Sequence, residues 1–443
     1  MIAVSKRPRW AVPVVALLVT LWIVVMALGG VAWGATTTTV PVATTTTTQV
    51  GVTTSVLPPP SSPSSTDSSA TDTTATPAGS STGTAVAGPS LSAPAAFLID
   101  EDTGRVIYSH NANVRRQIAS TTKIMTCIVA LESLPLDRVV TASKRAEATN
   151  ESQLGLKAGQ QFTVEQLLYA LMVKSANDAG VALAEASAGT VEAFVDKMNA
   201  KAADLGLKNT HFTNPHGLDN GGYKAGYSSA RDLATLAQYA MKNAEFRKLV
   251  GTVDWSITMP GDTKPQTFRN HNELLGAVSW VTGIKTGFTS QAGFCLVASG
   301  TSKGVSLIGV VLGEKTQPPC WADSKTLLEF GFSQYEQVLL ADQGVPTADL
   351  SLPYRSDEKL ELVTERSAAA TVFKGDTVTS KVNVASNLVL PVQAGQVFGT
   401  VQFSVGDRQV ASVNLVAARS VQKVTLGLKL AYFWHRLASW LGG

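Results

Sequence analysis

The chain has 443 residues, 36 Lys+Arg against 33 Asp+Glu, and a formal net charge of +3. That length supplies two or three domains with ample core, and a nearly balanced charge without a basic stripe excludes nucleic acid as an expected partner. Three cysteines, Cys127, Cys295 and Cys320, are too few for a disulfide scaffold; Cys127 and Cys295 lie in apolar runs and read as core, with a single Cys295–Cys320 bridge left open.

Lys6, Arg7 and Arg9 precede an almost wholly apolar stretch over 11–32, and Ala32-Trp33-Gly34 offers small residues before Ala35. The stretch also reaches the length of about 20 residues that spans a bilayer. Residues 1–35 therefore read as a signal peptide or a retained N-terminal membrane anchor, and the positive flank places the rest outside the cytoplasm. Residues 36–93 are mostly Thr, Ser, Pro, Ala and Gly, the composition of a disordered linker. A flexible coil of about 55 residues spans roughly 40 Å.

Runs at 96–100 and 105–108 flank Glu101-Asp102-Thr103-Gly104 and predict a β-hairpin. A helix is predicted over 120–133, because Ile124, Cys127, Ile128 and Leu131 fall at i, i+3, i+4, i+7. Thr163 and Gln166 form a capping box for a helix at 164–173. Further helices are expected at 178–186, 191–205 and 231–243, strands at 284–286, 293–300 and 305–312, and a helix near 324–332. Strands at both ends with helices between them predict one sheet built from distant segments plus a helical insert. From 345 to 418 the pattern becomes short alternating runs, including 371–373, 388–391, 397–405 and 410–416, which predict an all-β unit. Residues 424–441 are helical in period. Leu426, Leu430, Phe433, Trp434, Leu437, Trp440 and Leu441 share a stripe that suits a membrane surface or docking on the β unit.

Three short motifs stand in fixed order: Ser120-Thr121-Thr122-Lys123, Ser175-Ala176-Asn177 and Lys285-Thr286-Gly287. Singly they are weak, since Ser-x-x-Lys recurs at Ser420–Lys423. Context separates them. A serine opening a helix meets free N–H groups and the positive end of the dipole. Lys123, one turn later on the same face, can bring its amine to that hydroxyl. This is a serine acyl-transfer site that needs no histidine.

On this trio the chain resembles the serine-type D-alanyl-D-alanine carboxypeptidases, the low-molecular-mass penicillin-binding proteins of peptidase family S11. Supporting segments are Ile118-Ala119-Ser120-Thr121-Thr122-Lys123-Ile124-Met125-Thr126, Ser175-Ala176-Asn177-Asp178-Ala179, Thr213-Asn214-Pro215-His216-Gly217-Leu218-Asp219 and Lys285-Thr286-Gly287-Phe288-Thr289. Just before Ser120 the chain departs from the family, with Gln117 and Ile118 in place of a commonly proline-rich stretch. The resemblance runs from about 95 to 418, plus the terminal helix. It implies an α/β penicillin-binding/β-lactamase-like transpeptidase domain at 94–344, an antiparallel sheet with helices and a helical subdomain. A small all-β domain at 345–423 and an amphipathic membrane-associating helix at 424–443 follow.

The resemblance also implies roles. Ser120 is the nucleophile, Lys123 its base, Ser175 the relay to the leaving nitrogen, and Asn177 a support for Lys123 and the substrate amide. Lys285 and Thr286 would bind the terminal carboxylate, Gly287 would permit close approach, and the N–H groups of Ser120 and Phe288 would form the oxyanion hole. The implied substrate is a peptidoglycan stem peptide ending in D-Ala-D-Ala, with β-lactam antibiotics as covalent inhibitors. The implied place is the extracytoplasmic face of the membrane or the cell wall, with the membrane surface as a partner. No cofactor and no metal is expected: His216 reads as a turn residue, and neighbouring His211 carries no ligand pattern. Asp178 reads as a cap. Two other readings fit parts of the pattern. A class A-like β-lactamase needs a deacylating glutamate, and none of Glu185, Glu192, Glu245 and Glu273 sits in a Glu-x-x-Leu-Asn setting. A non-catalytic cell-wall scaffold on the same fold conflicts with the full set of catalytic side chains.

Overall fold

The computed structural model describes residues 88–441 apart from 356, 357 and 386; the expected signal or anchor and most of the linker lie outside the described residues. β1 (Ala95–Asp100) and β2 (Val106–His110) form the first hairpin, and a 3₁₀ turn over Ala119–Thr122 runs into α1 (Lys123–Ser133). β3 (Val139–Thr141), α2 (Lys144–Glu147), β4 (Gln161–Thr163), α3 (Val164–Met172), α4 (Asn177–Ala188), α5 (Val191–Asp204), α6 (Ala230–Ala240) and α7 (Ala244–Val250) make the insert. A hairpin of β5 (Asp254–Ile257) and β6 (Gln266–Arg269) precedes β7 (Val281–Thr289), β8 (Gly293–Ser302), β9 (Val305–Glu314) and α8 (Gln317–Ser333).

Five of these strands form one antiparallel sheet in the order β2-β1-β9-β8-β7. Successive side chains of a strand point to opposite faces. In β1, Ala95, Phe97 and Ile99 accordingly enter the helical core, while Ala96 and Leu98 join Leu327 and Leu328 of α8 on the other face. β7 is left at the edge of the sheet, and it carries Lys285-Thr286-Gly287.

Several elements differ from expectation. α8 starts well before 324, because Pro318 and Pro319 occupy its first turn, where a missing N–H is harmless. The helix expected over 231–243 ends at Ala240. α7 restarts after Asn243, whose side chain accepts the N–H groups of Glu245 and Phe246.

Beyond α8 the chain is all-β until its last helix: β10 (Tyr335–Ala341), β11 (Pro346–Ser351), β12 (Lys359–Thr364), β13 (Ala368–Phe373), β14 (Val378–Val384), β15 (Val397–Val405) and β16 (Arg408–Ala417). The sheet β11-β12-β16-β15-β14 and the pair β10-β13 enclose Leu360, Leu362, Val401 and Leu415. The run 388–391 is not a strand: Pro391 cannot donate to a ladder, and Val392 makes only an isolated bridge to Val421. β10 lies before residue 345 yet pairs with β13. Arg105 forks onto Asp376 at 3.0 and 2.8 Å and lies 4.3 Å above the Phe373 ring, tying the hairpin loop to the β-rich unit. α9 (Leu426–Leu441) exposes Leu426, Leu430, Phe433, Trp434 and Trp440, and Tyr432 meets Tyr354 edge-on. Among the described residues no helix is long and apolar enough to cross a membrane.

Candidate active site

The 3₁₀ turn places Ser120 half-buried on the wall of a cleft of about 470 Å³. The turn is held in an unusual backbone state, with Ala119 at φ 45. The loop 213–219 presses on it from behind. Gly217 has φ +91, and a Cβ there would lie 1.9 Å from the Ala119 carbonyl oxygen, so only glycine fits. Asn214 shapes this loop. Its Oδ1 accepts the N–H groups of His216 and Gly217 at 3.2 and 2.6 Å, and its Nδ2 donates to the Leu218 carbonyl at 2.9 Å.

Lys123 follows one turn after Ser120, and its side chain is fully buried. Nζ lies 2.7 Å from Ser120 Oγ and donates to Asn177 Oδ1 at 2.7 Å and to the His216 carbonyl at 2.9 Å. The Asn177 amide is oriented by its other end, where Nδ2 donates to the Asn150 carbonyl at 3.0 Å. Two pure acceptors thus take two N–H groups of the amine. A neutral amine has only two, so its lone pair is left facing the Ser120 hydroxyl. Burial, then the nearby Lys285 ammonium, holds the Lys123 amine well below the usual lysine range. Glu151 and Asp178 oppose that shift more weakly.

Ser175 and Asn177 stand at the start of α4. Ser175 has φ 61, is buried and lines the cleft. Asp178 does more than cap: its carboxylate accepts the N–H groups of Leu154, Gly155, Leu156 and Ala179 at 2.8–3.0 Å. It therefore fixes the 154–156 loop against the helix that carries Asn177.

On the opposite wall β7 brings Thr286, Gly287 and Phe288 to the cleft. A Cβ on Gly287 would sit 2.9 Å from the Ile118 carbonyl oxygen and 3.0 Å from the Ser120 nitrogen, so the bare strand edge abuts the Ser120 turn. Lys285 is buried, its Nζ donating to the Thr286 carbonyl at 3.0 Å, and burial pulls its pKa down to about 7. Phe288 is 54% exposed and stacks at 4.3 Å on Phe294. The cleft also takes Glu151, Arg269, His271 and Trp321, which the sequence did not single out. Cys295 and Cys320 line it as buried free thiols. Burial, then the neighbouring lysines, Lys285 ahead of Lys174 and Lys123, pushes His271 down to about 4. Among the described residues no cluster of His, Cys, Asp and Glu could hold a metal.

Residues 82–316 match the peptidase S11 family, D-alanyl-D-alanine carboxypeptidase. The chain belongs to that family. Residues 335–423 match the C-terminal domain of penicillin-binding protein 5, which accords with the pairing of β10. D-alanyl-D-alanine carboxypeptidase DacF of Bacillus subtilis is 36% identical over 339 residues, covering 75% of this chain and 86% of its own length. DacA of Escherichia coli is 35% identical over 350 residues, covering 75% and 84%. The crystal structure of penicillin-binding protein 5 from Haemophilus influenzae superposes with a TM-score of 0.54 at 32% identity, covering 76% of this chain and all of that one. The α/β domain with its helical subdomain and the following all-β unit are thus the architecture of these carboxypeptidases.

In this carboxypeptidase two of the glutamates relevant to a β-lactamase reading are engaged in ion pairs, and a third stands at the rim of the cleft. Glu192 pairs with Arg145 and Glu245 with Lys248. Glu273 reaches the cleft rim, where its Oε1 accepts from Gln317 Nε2 at 2.9 Å.

Proposed function

We propose that this chain removes the terminal D-alanine from peptidoglycan stem pentapeptides, with Ser120 as nucleophile and Lys123 as general base. The observation that carries the roles is the Lys123 amine, 2.7 Å from Ser120 Oγ, with its other hydrogen-bonding capacity directed at Asn177 and His216. Ser120 Oγ attacks the carbonyl carbon of the penultimate D-alanine, and its proton passes to Lys123 Nζ. The developing oxyanion is received by the N–H groups of Ser120 and Phe288 at the junction of turn and strand edge. The C–N bond then breaks. The leaving amine takes the proton from Lys123 through the Ser175 hydroxyl, and D-alanine departs from an ester on Ser120. Water attacks that ester with Lys123 again as base, which restores the serine and frees the shortened peptide. A β-lactam forms the same ester, but its opened ring stays attached and blocks the water step.

Substrate binding follows from the open edge of β7. An extended peptide adds to such an edge by main-chain hydrogen bonds, and Thr286 with Lys285 behind it receives the terminal carboxylate. The chain acts outside the cytoplasm, on the cell wall. Its exposed α9 stripe lies on the membrane surface, and the units divide near 94, 345 and 424, with β10 standing before the second boundary yet pairing into the β-rich unit.

The test is incubation of the protein with a penicillin and, separately, with diacetyl-Lys-D-Ala-D-Ala. A stable adduct mass and released D-alanine, both lost in Ser120→Ala, are the expected result. Rapid turnover of the penicillin without peptide cleavage would instead make it a β-lactamase, and neither adduct nor release would make it a scaffold.

A further inference from the structure

Behind the active site, on the far side of the 213–219 loop, lies a second cavity of about 220 Å³. Its lining includes Arg145, Val195, Asp196, Asn214, His216 and Tyr223. His216 is the residue whose carbonyl holds Lys123, yet its ring faces this second space. The ring is 1% exposed and lies edge-to-face on Tyr223 at 4.7 Å. Its Nδ1 accepts the Leu218 N–H at 3.2 Å, which assigns the ring proton to Nε2. No acceptor for that Nε2–H is found among the described residues. The imidazole stays a neutral single donor, since burial, then its neighbours Lys123 and Arg145, push it down to about 3.

The charges around the cavity are of both signs. Arg145 comes from α2 and forks onto Glu192 at 3.1 and 2.8 Å, and its side chain remains half-exposed. A guanidinium has five N–H donors, and this fork engages two. Asp196, one turn further along α5, is exposed at the rim. We propose that this cavity binds a small free α-amino acid, its carboxylate on His216 Nε2–H and Arg145 and its ammonium on Asp196. Glu192 also lines the cavity and offsets Arg145, so a bare anion would face two carboxylates against one guanidinium. A bare cation would leave the His216 N–H and the remaining Arg145 donors without an acceptor. A nucleotide or a peptide is too large for the space. D-alanine is the amino acid of the right size that the reaction releases, a point that rests on the proposed carboxypeptidase activity. The occupant would then report to the site through one residue, from the His216 ring to its carbonyl at Lys123.

The test uses the full chain labelled with ¹⁵N in its histidine rings, of which there are five. Penicillin first acylates Ser120, so that added D-alanine cannot act through the main cleft. On titration with D-alanine the His216 Nε2–H signal should shift and saturate. Asp196→Asn lies at an exposed position and should weaken the binding roughly fivefold, the size of one rim ion pair. Acetate and methylamine, each carrying half of the ligand's charge, should produce no saturating shift at the same concentrations. No saturable shift with D-alanine, an equal response to acetate, or undiminished binding in Asp196→Asn would each overturn the proposal. Failure of the penicilloyl adduct to form would strike the carboxypeptidase reading instead, so the two failures are distinguishable.

Discussion

Gly287→Ala is the sharpest test of how the strand edge and the nucleophile turn cooperate. The added methyl carbon would stand 2.9 Å from the Ile118 carbonyl oxygen, 3.0 Å from the Ser120 nitrogen and 3.1 Å from the Thr121 nitrogen. All three are backbone atoms, which cannot rotate away as a side chain can. The turn and β7 must therefore part by several tenths of an ångström. The Ser120 N–H is one of the two proposed oxyanion donors, and loss of one such donor lowers the rate about 10²–10³-fold, or roughly 3–4 kcal/mol. Folding should suffer less. The ladder from β7 to β8 pairs on the other edge of the strand, and about 1 kcal/mol of strain moves Tm by only about 2–4 °C in a domain of this size. The assay is the second-order rate of acylation by a fluorescent penicillin, read beside a thermal melt. Acylation within threefold of wild type, with the melt preserved, would refute the close abutment of turn and edge.

Four further outcomes are expected. Acylation should rise with pH as Lys123 loses its proton. Lys285→Met should move that limb to higher pH wherever Lys285 would have been charged, below about 7, because the ammonium that depresses Lys123 is gone; a limb moved to lower pH would contradict this. A lysine with a depressed folded pKa binds fewer protons folded than unfolded, so stability in urea should rise between about pH 7 and the ordinary lysine value, and rise less in Lys285→Met. Asp178→Asn replaces an acceptor of four N–H groups by a side chain with one acceptor oxygen, and should cost about 3 kcal/mol by denaturant titration; a loss below about 1 kcal/mol would show that the 154–156 loop is held otherwise. Removal of residues 424–443 should reduce binding to anionic liposomes, and undiminished binding of a chain also lacking residues 1–35 would assign the membrane contact elsewhere.

The sequence made legible whatever is local. The Ser-x-x-Lys pair lies within one turn, the Thr163–Gln166 capping box appears as expected, and the Lys-Thr-Gly segment sits in an apolar run that becomes an edge strand. Contributions made by backbone were not legible. The His216 carbonyl at Lys123 belongs to no side-chain pattern, and it arrives only because Asn214 folds its loop and Gly217 tolerates φ +91. Asp178 had the signature of a cap, and its reach to Leu154, Gly155 and Leu156 depends on a loop more than twenty residues back. Arg269 and His271 enter the cleft on or beside the short β5-β6 hairpin, whose strands of four residues are too brief to give a period. The early start of α8 was hidden by two prolines, which read as a break unless they occupy the first turn.

The electrostatics of the site explain how a lysine could serve in place of a histidine as the proposed base. A buried lysine beside a carboxylate would stay charged, because the pair stabilises the ammonium. This site instead gives Lys123 three neutral oxygen neighbours, from Ser120, Asn177 and His216, and sets a second buried lysine within its field. The carboxylate closest in sequence to its supporting amide is Asp178, which accepts backbone N–H groups of the 154–156 loop and α4. Its charge is thereby largely compensated by peptide dipoles, and it opposes the depression of Lys123 less than burial and Lys285 promote it. The same clamp that orders the loop therefore also weakens one of the two negative charges, Glu151 being the other, that would hold Lys123 in its protonated form. A structural role and an electrostatic one coincide in a single side chain, and Asp178→Asn should separate them: stability falls, while the rising limb of acylation moves slightly to lower pH.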